Sequence, residues 1–322
     1  MEKKNQFIKL TKDYNAVIIL LLLAIVATFF VDGFSKNLNR VIVEASLYGM
    51  IAIGLGLVMI TGNIDLSVGF QAACAAVLSV LVYNATGGNL LLSALVAVAS
   101  GLITGLINGF TVVKLGISPL IATIATNYIF KGFVYFFTKD GAIYPEGTLR
   151  SQFQMALSKN TLFDVKVLAV PVLIVLAILI LLYFIMYKTR FGVSLYIAGD
   201  NAEAGQFAGI NIRRSTMIAY ILCGVCCALA GLFLASNAGS AIYSQGDGRE
   251  VFAISACIIG GIKMAGGKGT VVNLLLGILI MRVISTAMDM MLIPAAWVDF
   301  VSGALLILIL ILDRFTAAKK EA

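Results

Sequence analysis

The residues of this chain that could do chemistry are few, and they stand beside or inside long apolar runs. In ITGNIDLSVGF, Ile60 to Phe70, Gly62 and Asn63 interrupt an apolar stretch and Asp65 stands where a new one begins, followed by Ser67 and Gly69. A carboxylate there can cap the first turn of the next helix near the membrane surface. It can also mark a broken-helix gate, because irregular backbone at membrane depth is tolerated only against protein or a water-filled cavity. Thr123, Asn127, Lys131 and Tyr135 recur every four residues and form one slowly drifting polar stripe on a helix. Such a stripe suits a path for a neutral polyol, and hydrogen bonds to adjacent helices explain it almost as well. With Asn63 and Asp65, these four residues are the candidates for a translocation path. Arg282, Thr286 and Asp289 share another face, and Asp299 on the following run is in reach of Arg282, as in a structural ion pair. Glu44 and Tyr48 share a third face, where they line an outer mouth or anchor a helix at the interface.

Several chemistries lack their residues. The chain has no histidine, which removes His-dependent general bases, His-metal sites and haem ligation by His. Its five cysteines all sit inside apolar runs, not in the outer loops where a disulfide framework would place them. Cys223, Cys226 and Cys227 give a C-x-x-C spacing with no second pair, and read as small buried helix residues. No nucleophile–base pair or metal cluster is visible, so no catalytic residue and no metal ligand is assigned. The G-x-x-x-x-G-K-[ST] phosphate loop is absent, so any ATP hydrolysis must come from another subunit, and this chain is expected to bind no cofactor of its own.

The elements that must position these residues follow from composition. Of the 322 residues 61% are hydrophobic and only 12% charged, with mean hydropathy +1.02. A soluble domain runs nearer about 45–50% apolar and about 25% charged. The chain is therefore read as an all-α polytopic membrane protein, one transmembrane domain over 1–322. It has about ten spans, near 16–31, 42–61, 67–84, 90–113, 118–138, 167–187, 215–235, 251–263, 271–290 and 295–312. The segment at 251–263 is short and Gly-bounded, as a re-entrant or broken span would be. With the N-terminus in the cytoplasm, fourteen of the 23 Lys and Arg fall on inside segments and seven outside, which predicts both termini inside and the 139–166 loop outside. The net charge of +7 thus speaks of topology, and no soluble basic face offers itself to nucleic acid. Gly101, Gly105 and Gly109 make a double G-x-x-x-G ladder on the fourth span, a close-packing signal in lipid.

Two further segments are informative. IIGGIKMAGGKGTV, Ile258 to Val271, partly echoes the Ile60 segment at an offset of 198, giving a second glycine-broken turn on the same side. The inside loop 188–214, KTRFGVSLYIAGDNAEAGQFAGINIRR, carries Asp200 and Glu203 at capping-box spacing, helix-favouring residues from Ala202 to Ala208, and Gly209 as a stop. Ala204, Phe207 and Ala208 form a small apolar face. A helix of two turns is marginal alone in water, so it either lies on the protein's own cytoplasmic surface or inserts into a partner.

The GNIDLSVG segment, the AGDNAEAGQFAGINI loop and the VFAISACIIGGIKMAGGKGTVV segment together resemble permease subunits of ribose-type, simple-sugar ABC importers, in the family's order and spacing, from about residue 40 to 313. The resemblance implies a multi-pass subunit of the bacterial inner membrane that pairs with a second permease copy or a related permease. It implies two cytoplasmic ATP-binding subunits, which use the ATP, and an extracytoplasmic binding protein that delivers a sugar. In such permeases the loop matching Gly199 to Asn211 docks on the ATPase, which makes Asp200, Glu203, Ala204, Gly205, Phe207, Ala208 and Gly209 the expected coupling residues. Asn63 stands where the family often has a second glycine, and Lys263 where many members have a smaller polar residue; both leave the substrate open. The alternatives are a branched-chain amino acid or nucleoside permease, and, from another class, a secondary transporter needing no ATPase. Secondary transporters often carry coupling carboxylates at mid-membrane, whereas Asp65 is the only carboxylate near a glycine-broken turn and lies near a predicted helix end.

Overall fold

A computed structural model describes residues 15–155 and 169–321 of the chain. The N-terminal lysines, Lys159 and Lys166, which enter the sidedness argument, lie outside the described residues. The helices in chain order are α1 (Asn15–Phe30), α2 (Leu38–Ile60), α3 (Val68–Ala85), α4 (Leu90–Gly109), α5 (Pro119–Thr138), α6 (Leu149–Gln154), α7 (Val170–Lys188), α8 (Arg190–Asp200), α9 (Ala202–Phe207), α10 (Ile212–Ala238), α11 (Arg249–Ile259), α12 (Val271–Met290) and α13 (Ala295–Glu321). Among the described residues, seven helical segments are long and apolar enough to cross a membrane: α2, α3, α4 with its π-turn, α5, α7, α10 and α12. The expected spans at 16–31 and 295–312 correspond to shorter apolar helices, Ala16–Phe30 and Ala296–Leu308. The one at 251–263 is the 11-residue α11, about 16 Å long, or half of a roughly 30 Å hydrocarbon core.

The local sequence sets the helix ends. Asn89 caps α4 by accepting from Leu92 N–H at 3.0 Å, Thr270 caps α12 by accepting from Asn273 N–H at 3.1 Å, and Pro119 opens α5, where its missing N–H costs nothing. The two glycine-broken turns close their helices identically. Gly62 and Gly261 take φ of +76° and +75°, and the next residues reach back five positions, Asn63 N–H to the Val58 carbonyl at 3.3 Å and Ile262 N–H to the Cys257 carbonyl at 2.9 Å. Both are Schellman closures. They align at an offset of 199, so the echo read at 198 is one residue out of structural register.

The bundle is organised around α10, which is buried along most of its length and packs on α2, α3 and α4. The glycine ladder lets α4 approach it: side chains at Gly101, Gly105 and Gly109 would meet Gly224, Tyr220 and Met217 of α10. Close backbone approach of this kind supplies the packing that drives helix association in lipid. Cys223, Cys226 and Cys227 are buried on the same helix, and all five cysteines are free. At one end of the bundle the turn after α2, the helices α8 and α9, and the turn after α11 come together. At the other, strands β1 (Ala142–Ile143) and β2 (Ala241–Ile242) pair antiparallel, and Asn84 binds the backbone of Tyr144 and Glu146.

Candidate functional site

Asp65 is fully buried, between the end of α2 and the start of α3. Its Oδ1 accepts from the Ser67 N–H at 2.9 Å and the Ser67 hydroxyl at 2.6 Å; its Oδ2 accepts from Gln71 Nε2 at 2.8 Å and Asn108 Nδ2 at 3.0 Å. Thr104 donates to Gln71 Oε1 at 3.1 Å, and the Tyr220 hydroxyl donates to the Ile64 carbonyl at 3.2 Å. A buried carboxylate is tolerated when charge-assisted donors surround it, and here two come from Ser67 just before α3, one from α3 and one from α4. Asp65 does not cap α3: the N-cap is Ser67, which makes no side-chain cap bond, and Asp65 closes a local turn on the Ser67 N–H instead. The loop is enclosed by protein, with α4 and α10 supplying the Asn108 and Tyr220 contacts. Asn63 turns to its own neighbour, donating to the Thr61 carbonyl and hydroxyl, and does not meet Asp65. The sequence reading did not include Gln71, Thr104 or Asn108. Their signal was available: Gln71 stands four residues after Ser67, one helical turn on, and Thr104 and Asn108 share a face of the glycine-ladder helix.

The three segments that carry the family resemblance converge on one another through glycines. Gly267 N–H donates to the Ile60 carbonyl at 2.9 Å. A Cβ at Gly199, near the end of α8, would collide with that same carbonyl and with Gly267 N; one at Gly266 would lie 2.7 Å from Gly62 Cα and 2.8 Å from Gly199 Cα; one at Gly267 would lie 2.7 Å from Asp200 Cβ. Only glycine permits this backbone-on-backbone contact, and Gly266 and Gly267 also take φ of +84° and +71°. Tyr196 on α8 adds a side-chain tie, its hydroxyl donating to the Gly269 carbonyl at 2.8 Å. Burial pushes that phenol up to about 12, so the hydroxyl keeps its proton and remains a donor.

The short helix α9 is held on this junction, and here the sequence reading needs two corrections. Asp200 is the last residue of α8, and the cap is Asn201, whose Oδ1 accepts from Ala204 N–H at 2.9 Å. Asn201 N–H closes α8 on the Ile197 carbonyl at 3.0 Å, and its extended backbone (φ −156°, ψ 87°) turns the chain into α9. Glu203 therefore falls one position short of completing a capping box, although a carboxylate in the first turn still suits the helix dipole. Gly205, expected on the docking face, points inward: a Cβ there would lie 2.6 Å from Ile197 Cγ2 and 3.0 Å from Ile212 Cδ1. Asp200, Glu203, Ala204, Ala208 and Gly209 are exposed, and Phe207 is 87% exposed. Gly209 (φ +77°) ends the helix, with Ile210 N–H returning to the Gly205 carbonyl.

The α5 stripe is not gathered into one site. Thr123 is buried and donates back to the Pro119 carbonyl at 2.7 Å. Asn127 is half-buried, and its Oδ1 has no hydrogen-bond partner among the described residues. Lys131 pairs with Asp247 at 3.3 Å over the rings of Phe70 and Tyr243. Tyr135 is exposed, edge-on to Tyr243. Because a four-residue step overshoots a helical turn, the stripe spirals from buried to exposed. At the same end as Asp247, a cavity of about 450 Å³ is lined by Glu44, Tyr48, Arg249, Phe252, Arg282 and Asp299, among others. Tyr48 lies under two guanidinium groups, Arg249 at 4.4 Å and Arg282 at 4.7 Å. Arg282 does not pair with Asp299 as expected but with Glu44, because α12 packs directly on α2. Asp289 instead lies 3.6 Å from Arg40.

The profile of the family described as "Branched-chain amino acid transport system / permease component" matches residues 37–310. The chain is 33% identical over 299 residues to the "Autoinducer 2 import system permease protein LsrC" of Escherichia coli (strain SMS-3-5 / SECEC), covering 91% of this chain and 85% of that protein. It is 32% identical over 311 residues to the protein of the same name from Yersinia pestis (strain Pestoides F), covering 96% and 86%. The Shigella flexneri protein of that name is 32% identical over 299 residues, covering 91% and 85%. No solved structure matches the chain. The chain is thus a membrane-spanning transport component and belongs to the permease family of branched-chain amino acid-type transport systems.

Proposed function

We propose that this permease works in an ABC importer of the bacterial inner membrane, paired with a second permease and driven by separate ATP-binding subunits. In this reading an extracytoplasmic binding protein delivers a simple sugar; autoinducer 2, the solute in the relatives' name, is an alternative cargo. The family's description favours a second reading, a branched-chain amino acid. The end of the bundle carrying α8, α9 and the glycine turns faces the cytoplasm with both termini, and the cavity at Tyr48 faces outward.

The observation that carries the proposal is the exposed Phe207 on a capped helix whose base is in backbone contact with both glycine-broken turns. A large apolar side chain left bare in water, on a helix too short to persist alone, fits a partner's pocket. A displacement of α9 by that partner would reach the ends of α2 and α11 through Gly199, Gly266 and Gly267, without flexible side chains between. A secondary transporter would have no use for such a helix. The test is co-purification of the ATPase with Phe207→Ala, beside substrate-stimulated ATP hydrolysis. An aromatic anchor commonly carries about 2 kcal/mol or more, so docking should weaken by at least about tenfold. Wild-type values in both assays would withdraw the coupling role.

A further inference from the structure

A second feature of the α8 end of the bundle is not used by the coupling reading. Where α7 ends, a groove of about 850 Å³ opens between the last turn of α7, the start of α8 and the start of α10, lined by Tyr187, Phe191, Val193, Ile210 and Ile218 along with polar residues. Its rim carries Lys188, Arg190 and Arg214, all exposed. None of these cations has an ion pair among the described residues, and no carboxylate lines the groove. The polar atoms of the floor are satisfied internally: the Ser194 and Ser215 hydroxyls bond each other at 2.7 Å, and the Thr189 hydroxyl donates to the Ile185 carbonyl at 2.6 Å and accepts from Gly192 N–H. What remains unsatisfied is an apolar surface and three positive charges.

The position of the groove limits what can fill it. α7 is long and apolar enough to cross a membrane, and its last two turns carry Tyr183 and Tyr187, packed with tilted rings at 4.8 Å between centroids. Aromatic rings followed by basic residues mark the headgroup level of a bilayer. An apolar trough beside unpaired cations at that depth matches a molecule with a hydrocarbon tail and an anionic head, and basic pockets between membrane helices bind such headgroups. From this charge complementarity we infer that the groove is a binding site for an anionic phospholipid, with the acyl chain along Phe191, Val193 and Ile218 and the phosphate between Lys188, Arg190 and Arg214. The inference does not rest on the solute or on ATPase docking, since Phe207 and α9 lie outside the groove lining.

The test uses the purified full-length permease in detergent, exchanged against mixed micelles of phosphatidylglycerol and phosphatidylcholine, with retained lipid counted by native mass spectrometry. The wild type should hold phosphatidylglycerol at least about tenfold over phosphatidylcholine. The K188Q/R190Q/R214Q variant should lose that preference, and Val193→Trp, which fills the trough and leaves every charge in place, should reduce phosphatidylglycerol retention without altering elution volume. Equal retention of the two lipids by the wild type, or an unchanged preference in both variants, would overturn the site. Displacement of the lipid by millimolar inorganic phosphate would show that the cations read phosphate alone, and would overturn the lipid assignment. Loss of bound lipid on adding the ATPase would assign the groove to that protein instead, and would overturn it as well.

Discussion

The two ends of this permease are built from opposite materials. At the α8 end, contact is backbone on backbone: Gly62, Gly199, Gly266 and Gly267 meet with no side chain between them, and the buried Asp65 beside them is held by four protein donors. At the Tyr48 end, contact is made by long charged side chains, Arg40, Glu44, Arg249 and Arg282, around an open cavity. Backbone contacts cannot adjust without moving whole helices, which suits transmission of a mechanical displacement. Side-chain contacts can rearrange one at a time, which suits a surface that meets a solute or a partner of variable shape. Substitutions should therefore be felt globally at one end and locally at the other.

The largest effect is expected at Gly199. Gly199→Ala would drive a methyl group into the Ile60 carbonyl and Gly267 N, and overpacking against unyielding backbone should cost about 3 kcal/mol, the upper end of the usual range. Thermal unfolding in detergent should show the loss, together with abolished transport. Near-wild-type stability would mean that the junction is looser than its geometry indicates. Next is Asp65→Ala, which removes one acceptor from each of the Asn108 and Gln71 amides, leaving them only the Ser67 hydroxyl, and should cost about 2 kcal/mol, read by the same assay. Glu44→Gln should cost less, about 1 kcal/mol, because Glu44 is partly exposed and the amide oxygen still accepts from the buried Arg282. The smallest is Lys131→Met, whose partner Asp247 is exposed. Stability should change by less than about 1 kcal/mol, while solute uptake falls if the stripe lines the path. A large stability loss from Lys131→Met would erase the contrast between the two ends.

Much of this arrangement was legible in the sequence because membrane spans announce themselves by apolar length, and the glycine ladder and glycine turns by spacing. The long helices and the exposed face of α9 follow from such local patterns. What escaped was decided by contacts between distant segments. Glu44 and Arg282 are 238 residues apart, and Asp299 looked nearer only because it lies nearer in the chain. Helix α8 is hidden in the sequence because Gly192 and Gly199 interrupt its pattern; Gly192 is needed where a Cβ would strike the Met186 carbonyl. Asp200 has the spacing of a cap because a Glu follows it at the right interval, and only the extension of α8 to Asp200 shifts that role to Asn201. The family resemblance includes Gly205 among the coupling residues as part of the loop, and a six-residue helix has no hydrophobic period long enough to show that this side is the seated one.

The central claim, that α9 is the surface on which the ATPase docks, is tested most directly by photo-crosslinking. A photoreactive phenylalanine analogue at position 207, in membranes holding the complete importer, should give a covalent adduct of permease and ATPase on illumination. The same analogue at the exposed Glu146, at the other end of the bundle, should give none. An ATPase adduct from position 146, or only intramolecular products from position 207, would contradict the account.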